Sequence, residues 1–406
     1  MLIWYILLGM LSIALVYGVI SVYSIATRLE RKVWVDPQPT EIQWSRLPRL
    51  AILLPFYRES LQDVETTFRS IAAQRYPRDR LRVVVVLEKE DDTTLRAVER
   101  CRHIIESSGL KLEIVVNESG RKSKARALNE ALSKLGEWPE IVAVYDAGDA
   151  ILDEFHLVKA ATLIESGYVV VGSRVYRVNG GLIGRLSYID SILWCSVALP
   201  GLTKFIGYPL VSGEGLVISA RFLRAIGGFP EKLTEDSYIT MLVAKHRASA
   251  TLLNVAIYEG APATIVSLLK QRLRWYRGYL ECLVDLITKH GKEMNLNLAI
   301  RLALAYAEPI ALIATMSAMI IVVLSPWITA PQPVYMLSVL IVISTFCAPL
   351  YLVINMGMRD VALLIAPLYW AIQGAIVIAS IAIPKMPWLR TARALTYPLH
   401  LLNSRC

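Results

Sequence analysis

Charge runs out towards one end of this sequence. The chain has 406 residues with 43 Lys and Arg and 34 Asp and Glu. Beyond residue 300 the only charged residues are Arg301, Glu308, Arg359, Asp360, Lys385, Arg390, Arg393 and Arg405. Charged types make up 19% overall, against about 25% in an ordinary soluble domain. A wholly soluble enzyme is excluded. With 55% hydrophobic residues, so is a disordered chain. Cysteine is sparse too. Cys101, Cys195, Cys282, Cys347 and Cys406 are scattered, odd in number and without a CxxC pair. That sets aside a disulfide framework and a zinc site. The five histidines form no HExxH. No long basic run occurs, so a nucleic-acid-binding role has no support. The net charge of +9 suits anionic headgroups or an anionic substrate.

What is present begins with an apolar run from Ile3 to Ile25, uncharged and long enough to span roughly 30 Å of hydrocarbon. Arg28, Arg31 and Lys32 follow it. The positive-inside rule puts the N-terminus outside and the chain from residue 30 onward in the cytoplasm. Basic residues follow the run rather than precede it, which reads as an uncleaved anchor and not a signal peptide. Three further spans are expected, at about Leu304–Leu324, Val334–Val353 and Val361–Ile383. Glu308 and Pro309 leave open whether the first of them dives or lies at the interface. Strict alternation places the C-terminus outside, whereas Lys385, Arg390 and Arg393 argue for inside. The expected organisation is an anchor at 1–30, a cytoplasmic domain at 31–295 and a membrane domain at 296–406.

The soluble part opens with four short apolar runs: Leu50–Leu54, Val83–Leu87, Leu112–Val116 and Ile141–Tyr145. Amphipathic helical stretches separate them, marked by Val64, Phe68 and Ile71, by Leu95, Val98, Cys101 and Ile105, and by Ala125, Leu128 and Leu132. Near-continuous apolar strands alternating with helices predict an α/β fold with a mostly parallel sheet covered on both faces. Functional residues then belong beyond the carboxyl ends of the strands.

Three motifs carry chemistry. Asp146-Ala147-Gly148-Asp149 closes the fourth strand, and carboxylates there can hold a hard cation; an acidic turn is the plainer alternative. Thr234-Glu235-Asp236 offers either helix capping or a general base for an alcohol. Gln271, Arg274 and Trp275 fall at i, i+3 and i+4, on one helix face. That face offers an amide, a phosphate-binding guanidinium and a stacking indole, or a helix lying at the bilayer surface.

These motifs, in this order, make the chain resemble the membrane-bound glycosyltransferases of family 2, related to cellulose and hyaluronan synthases and ceramide glucosyltransferase. The resemblance covers roughly residues 48–280. Ala51-Ile52-Leu53-Leu54-Pro55-Phe56-Tyr57-Arg58-Glu59 looks like the opening nucleotide-binding loop. Glu88 stands where such enzymes place an acid facing the base, and Lys124-Ala125-Arg126-Ala127-Leu128-Asn129 looks like their lysine segment. Gly213-Glu214-Gly215 resembles the acceptor loop, Thr234-Glu235-Asp236 the catalytic-base motif and Gln271, Arg274 and Trp275 the QxxRW signature. Pro367-Leu368-Tyr369-Trp370 and Met386–Thr391 look like the closing segment of some relatives.

The resemblance implies a GT-A nucleotide-diphospho-sugar transferase fold and an inverting, metal-dependent hexosyltransferase. The donor is a UDP- or GDP-sugar and the acceptor a hydroxyl of a membrane lipid or lipid-linked saccharide. Asp236, with Glu235, is expected at the catalytic centre. Pro55, Tyr57, Glu59, Glu88, Lys124, Asp146, Gln271, Arg274 and Trp275 are expected around the donor. Mn²⁺ or Mg²⁺ is expected on Asp146. The second acid of the family's DxD pattern is replaced by Gly148. Either Asp149 supplies the second contact, or Asp146 and the diphosphate hold the ion with water. A processive polysaccharide synthase is the alternative enzyme. A non-catalytic scaffold or transporter with a degenerate transferase domain is the alternative of another class.

Overall fold

The structure, a computed structural model, describes residues 1–38, 44–118, 123–178 and 180–383. Lys385, Arg390, Arg393 and the Met386–Thr391 segment lie outside these residues. The chain divides into two compact units. Among the described residues, one comprises 33–178 and 208–261, the other 1–32, 180–207 and 262–383. Thus residues 180–207 and 262–295, expected within the soluble body, group with the terminal helices.

The first unit is built on a sheet of nine strands among the described residues: β1 (Trp34–Val35), β2 (Leu50–Phe56), β3 (Leu81–Glu88), β4 (Lys111–Asn117), β5 (Ile141–Val144), β6 (Ala150–Ile151), β7 (Val170–Val178), β8 (Leu216–Ser219) and β9 (Ala250–Gly260). Their order is β1-β9-β7-β8-β5-β2-β3-β4, with β6 also on β9. β2, β3, β4 and β5 are mutually parallel neighbours. β8 runs antiparallel between β5 and β7. The four strands read from the sequence are therefore the parallel half of a mixed sheet.

Those strands are continuously apolar because both faces are buried. Leu50, Ile52 and Leu54 point into one core with Val64, Phe68, Ile71, Val98 and Ile105. Ala51 and Leu53 point into the other with Leu128, Leu132, Ile239 and Val243. Successive strand residues face opposite sides, so a run without polar interruption needs a helix layer on each. The helices Leu61–Ala72 and Asp92–Ser107 supply one layer, and Lys124–Leu135 and Glu235–Lys245 the other. Side chains cap two of these helices. Ser60 accepts the Asp63 N–H, and Asp91 accepts the Thr94 N–H. The chain starts at β2, steps outward to β3 and β4, then returns to β5 on the other flank of β2. This reversal opens a crevice beyond the carboxyl ends of β2 and β5.

The second unit is helical. Leu2–Ala26, Leu182–Ile206 and Gln332–Met356 are each long and apolar enough to cross a membrane. Leu296–Tyr306 and Glu308–Leu324 pass together but meet at a 52° bend. Ala366–Ala382 is a shorter apolar helix. The expected spans at both ends fall on these helices. Leu182–Ile206 was not expected as a span: Arg185, Asp190 and Lys204 break its apolar pattern. Leu11 and Ala14 of the first helix pack with Ala311, Ala314, Ala318, Val334 and Ile341.

Phe68 is fully buried and stacks on Phe56, ring centroids 6.3 Å apart. Phe68→Ala should cost about 3–5 kcal/mol in chemical denaturation of the purified protein. Leu61→Ala, at an exposed position of the same helix, should stay within about 0.5 kcal/mol. Equal losses would contradict this packing.

Candidate active site

β5 ends at Val144, and the next turn is held closed from several sides. The fully buried Asp149 accepts the Asp146 N–H at 2.8 Å through Oδ2. Gly148 donates its N–H to Thr67 Oγ1 at 2.9 Å, and that hydroxyl donates to the Asp146 carbonyl at 3.2 Å. Gly148 has φ of +89°, a conformation that disfavours any residue with a Cβ. The missing DxD acid thus has a backbone cause. Asp149 is drawn inward to shape the turn, and Asp146 is left facing the crevice.

Lys124 opens the Lys124–Leu135 helix, and its ammonium lies 2.8 Å from Asp146 Oδ1 and 3.4 Å from Glu235 Oε1. Burial disfavours that charge, but Asp146, Glu235 and Glu214 outweigh it and hold the lysine above its ordinary range. Glu235 and Asp236 form the first turn of the Glu235–Lys245 helix. Asp236 Oδ1 accepts the Ser237 N–H at 2.7 Å. Burial, then the charges of Glu235 and Glu214, push the Asp236 carboxyl up to about 7. The Gly213 loop passes directly over this set. A Cβ there would lie 3.1 Å from Lys124 Nζ, 3.5 Å from Glu235 Oε1 and 3.6 Å from Asp236 Oδ2. A side chain at 213 would occupy the space the charged groups share.

Other expected residues lie at neighbouring strand ends. Pro55 is the next-to-last residue of β2 and Tyr57 follows the strand, with the Arg58 guanidinium 5.2 Å from the Tyr57 ring centre. Glu88 ends β3 and accepts from Asn117 Nδ2 at 3.0 and 3.1 Å. The Glu59 N–H donates to Thr94 Oγ1 at 2.9 Å, and the Arg58 N–H to Asp91 Oδ2 at 2.5 Å. Gln271, Arg274 and Trp275 belong to the helical unit, on the Ile265–Asp285 helix. There Gln271 is buried, and the neighbouring Arg272 stacks 4.6 Å from the Trp275 ring centre.

Sequence reading gave no role to His156, Asn117 or Asp91; Asp91 lies in the segment that carries Glu88, and the other two sit in no recognisable motif. His156 is buried, with Nδ1 2.8 Å from the Tyr145 hydroxyl and Nε2 2.9 Å from Ser173 Oγ. Ser173 donates its proton to the Gly215 carbonyl at 3.1 Å. Its oxygen must therefore accept from Nε2–H, and Nδ1 accepts from Tyr145. The tautomer follows from the chain of donors. This chain joins the strand end before Asp146 to the loop holding Gly213.

The model of the family described as "Glycosyltransferase like family 2" matches residues 48–278, more than half of the sequence. The chain belongs to this family. A probable glycosyltransferase of Bacillus subtilis, YdaM, is 27% identical to this family 2 chain over 237 residues, 57% of the chain and 55% of the relative. A poly-β-1,6-N-acetyl-D-glucosamine synthase of Staphylococcus epidermidis is 24% identical over 248 residues, 58% and 55% respectively. The chain spans about half the length of these curated relatives. Among solved structures, the mannosyltransferase PcManGT of Pyrobaculum calidifontis, in complex with GDP-Man and Mn²⁺, aligns with a TM-score of 0.62 at 22% identity. The alignment covers 93% of this chain and 97% of that one. The likeness is one of fold: this chain has a GT-A-like fold, with apolar helices near both termini.

Burial holds the His156 imidazole down at about 4. The unfolded chain takes up this proton near 6.5, so between about 6.5 and 4 the unfolded state binds more protons. Stability is complete above that window and is lost as pH falls through it, by up to about 3 kcal/mol. Comparing thermal unfolding of wild type and His156→Gln from pH 7.5 to 4.5 should show a shallower pH slope in the variant. Identical slopes would mean another group titrates.

Proposed function

We propose that this protein is a membrane-bound inverting glycosyltransferase. It moves a hexose from a nucleotide-diphosphate sugar to a hydroxyl of a membrane lipid or lipid-linked saccharide. The observation that carries the reading is one cluster: Asp146, Lys124, Glu235 and Asp236, with Asp236 pushed up to about 7. A base acting on an alcohol near neutral pH works best with such a value.

Pro55, Tyr57 and Glu88 would hold the nucleoside, as their placement at the ends of β2 and β3 supports. Lys124 would neutralise phosphate, and Gln271, Arg274 and Trp275 would organise the diphosphate end. Asp236 accepts the acceptor proton as the hydroxyl oxygen attacks the anomeric carbon and the nucleoside diphosphate leaves from the opposite face. A single displacement inverts that carbon and needs no second nucleophile. Among the described residues no three acidic, histidine or cysteine side chains converge on one point that could hold a metal. Asp146 at the crevice fits a Mn²⁺ or Mg²⁺ whose other ligands are the diphosphate and water. Such an ion neutralises charge on the leaving diphosphate. The Mn²⁺ and GDP-Man bound by the Pyrobaculum protein support this reading.

The apolar helices support a membrane seat, with Arg28, Arg31 and Lys32 favouring a cytoplasmic catalytic unit. A frame of three or four crossings favours a lipid-borne acceptor over extrusion of a polymer.

Membranes bearing the protein, given radiolabelled UDP-glucose, UDP-N-acetylglucosamine or GDP-mannose with native lipids and Mn²⁺, should yield a solvent-extractable product from one donor. An insoluble long-chain product would mark a polymer synthase, and no product from any donor would overturn the transferase reading. Asp236→Asn should keep donor binding and lose about 10²–10⁴-fold in rate. In the wild type, kcat/KM should rise with pH and level off above about 7, as Asp236 loses its proton. Glu214→Gln removes a negative neighbour and should move that midpoint down.

A further inference from the structure

The helical unit holds an open cavity of about 330 Å³, within the size range of small-ligand sites. Its walls are the later half of the Leu2–Ala26 helix, the first turns of Glu308–Leu324, the Gln332–Met356 helix between Ile341 and Tyr351, and the stretch from Asp190 to Ala198. Most of this wall is apolar. Two carboxylates line it, Asp190 and Glu308, and no lysine or arginine does.

The two acids differ. Asp190 is engaged: Arg272 Nη2 donates to it at 2.6 Å and Trp370 Nε1 at 3.0 Å. Glu308 follows the 52° bend between two helices and accepts no hydrogen bond from a described side chain or backbone group. Most donors around it are spent. The Tyr17 hydroxyl lies 2.9 and 2.8 Å from the Leu304 and Ala305 carbonyls. Thr315 and Thr345 donate back to Ala311 and Ile341 of their own helices. The cavity therefore offers a guest a long apolar wall and an acceptor that lacks a donor. An acid in such surroundings marks a site rather than a packing choice.

Arg272 meets the charge of Asp190, and no lysine or arginine lines the wall to receive a phosphate headgroup, so Glu308 as the unpaired acid disfavours one. A hydroxyl brings the missing donor without charge. We propose that this cavity binds an uncharged lipid alcohol, its hydrocarbon chain along the apolar wall and its hydroxyl donating to Glu308. The lining part of the first helix is the half nearest Arg28, Arg31 and Lys32, which places the site in the cytoplasmic half of the membrane. Occupancy is independent of the transferase reading, since it needs no turnover.

The test uses the full-length protein in lipid nanodiscs and a photoactivatable long-chain alcohol, compared with its monophosphate ester. Labelled peptides are mapped by mass spectrometry. The alcohol should label residues 341–351 saturably, at least tenfold more than the phosphate. Glu308→Gln keeps an acceptor and removes the charge. It should retain alcohol labelling within about threefold and raise phosphate labelling. Ala348→Phe, which fills the cavity from a half-buried position, should abolish saturable labelling while the thermal midpoint stays near wild type. If Ala348→Phe does not fold, the Glu308→Gln comparison decides alone. Equal labelling by alcohol and phosphate in the wild type would overturn the proposal. So would label spread evenly over every lipid-facing helix.

Discussion

A single ammonium ion organises the catalytic unit. Lys124 reaches from a helix start into a set of carboxylates that come from three other segments: the turn after β5, the loop before β8 and the first turn of the Glu235–Lys245 helix. Left alone, Asp146, Glu214, Glu235 and Asp236 would repel one another and each would pay for burial. With the lysine among them they hold these segments together across the crevice. The remaining strain is taken up by Asp236, which keeps its proton to a higher pH than a carboxyl in water. The same imbalance that holds the segments together tunes the residue proposed to accept a proton.

The parallel half of the sheet was legible because its strands are buried on both faces and carry an unbroken apolar signal. β7, β8 and β9 were harder to see. Arg174 and Arg177 interrupt β7, and Asn254 and Glu259 interrupt β9. Arg177 and Glu259 are an ion pair inside the structure, so the two charges that break the pattern cancel in the fold. The acids proposed as catalytic could be placed in advance because motif order fixes which strand end or helix start each occupies. His156 could not. Its partners lie 11 and 17 residues away, one just past the end of β5 and the other on β7, and the sheet order brings them together.

The helical unit shows the complementary case. Its long apolar helices follow from hydropathy, yet its interior is not uniformly apolar. Arg272, one position from the expected Gln271 and two from Arg274, is the residue buried against Asp190, Tyr369 and the Trp275 ring. Asp190 lies in a segment whose charges made it read as part of the soluble body. Once paired, these charges cost far less in an apolar setting than their count suggests. A hydropathy window, which counts each charge at full cost, misplaces such segments.

With the Ser173 proton on the Gly215 carbonyl, the hydrogen-bond chain from Tyr145 through His156 and Ser173 runs in one direction. It cannot relay a proton without every link reversing, so it serves as a strut rather than a wire. Its two ends are the turn that presents Asp146 and the loop that passes over Asp236. The turn beside Asp146 and the loop beside Gly213 are thus tied by neutral hydrogen bonds, with no charged group in the link.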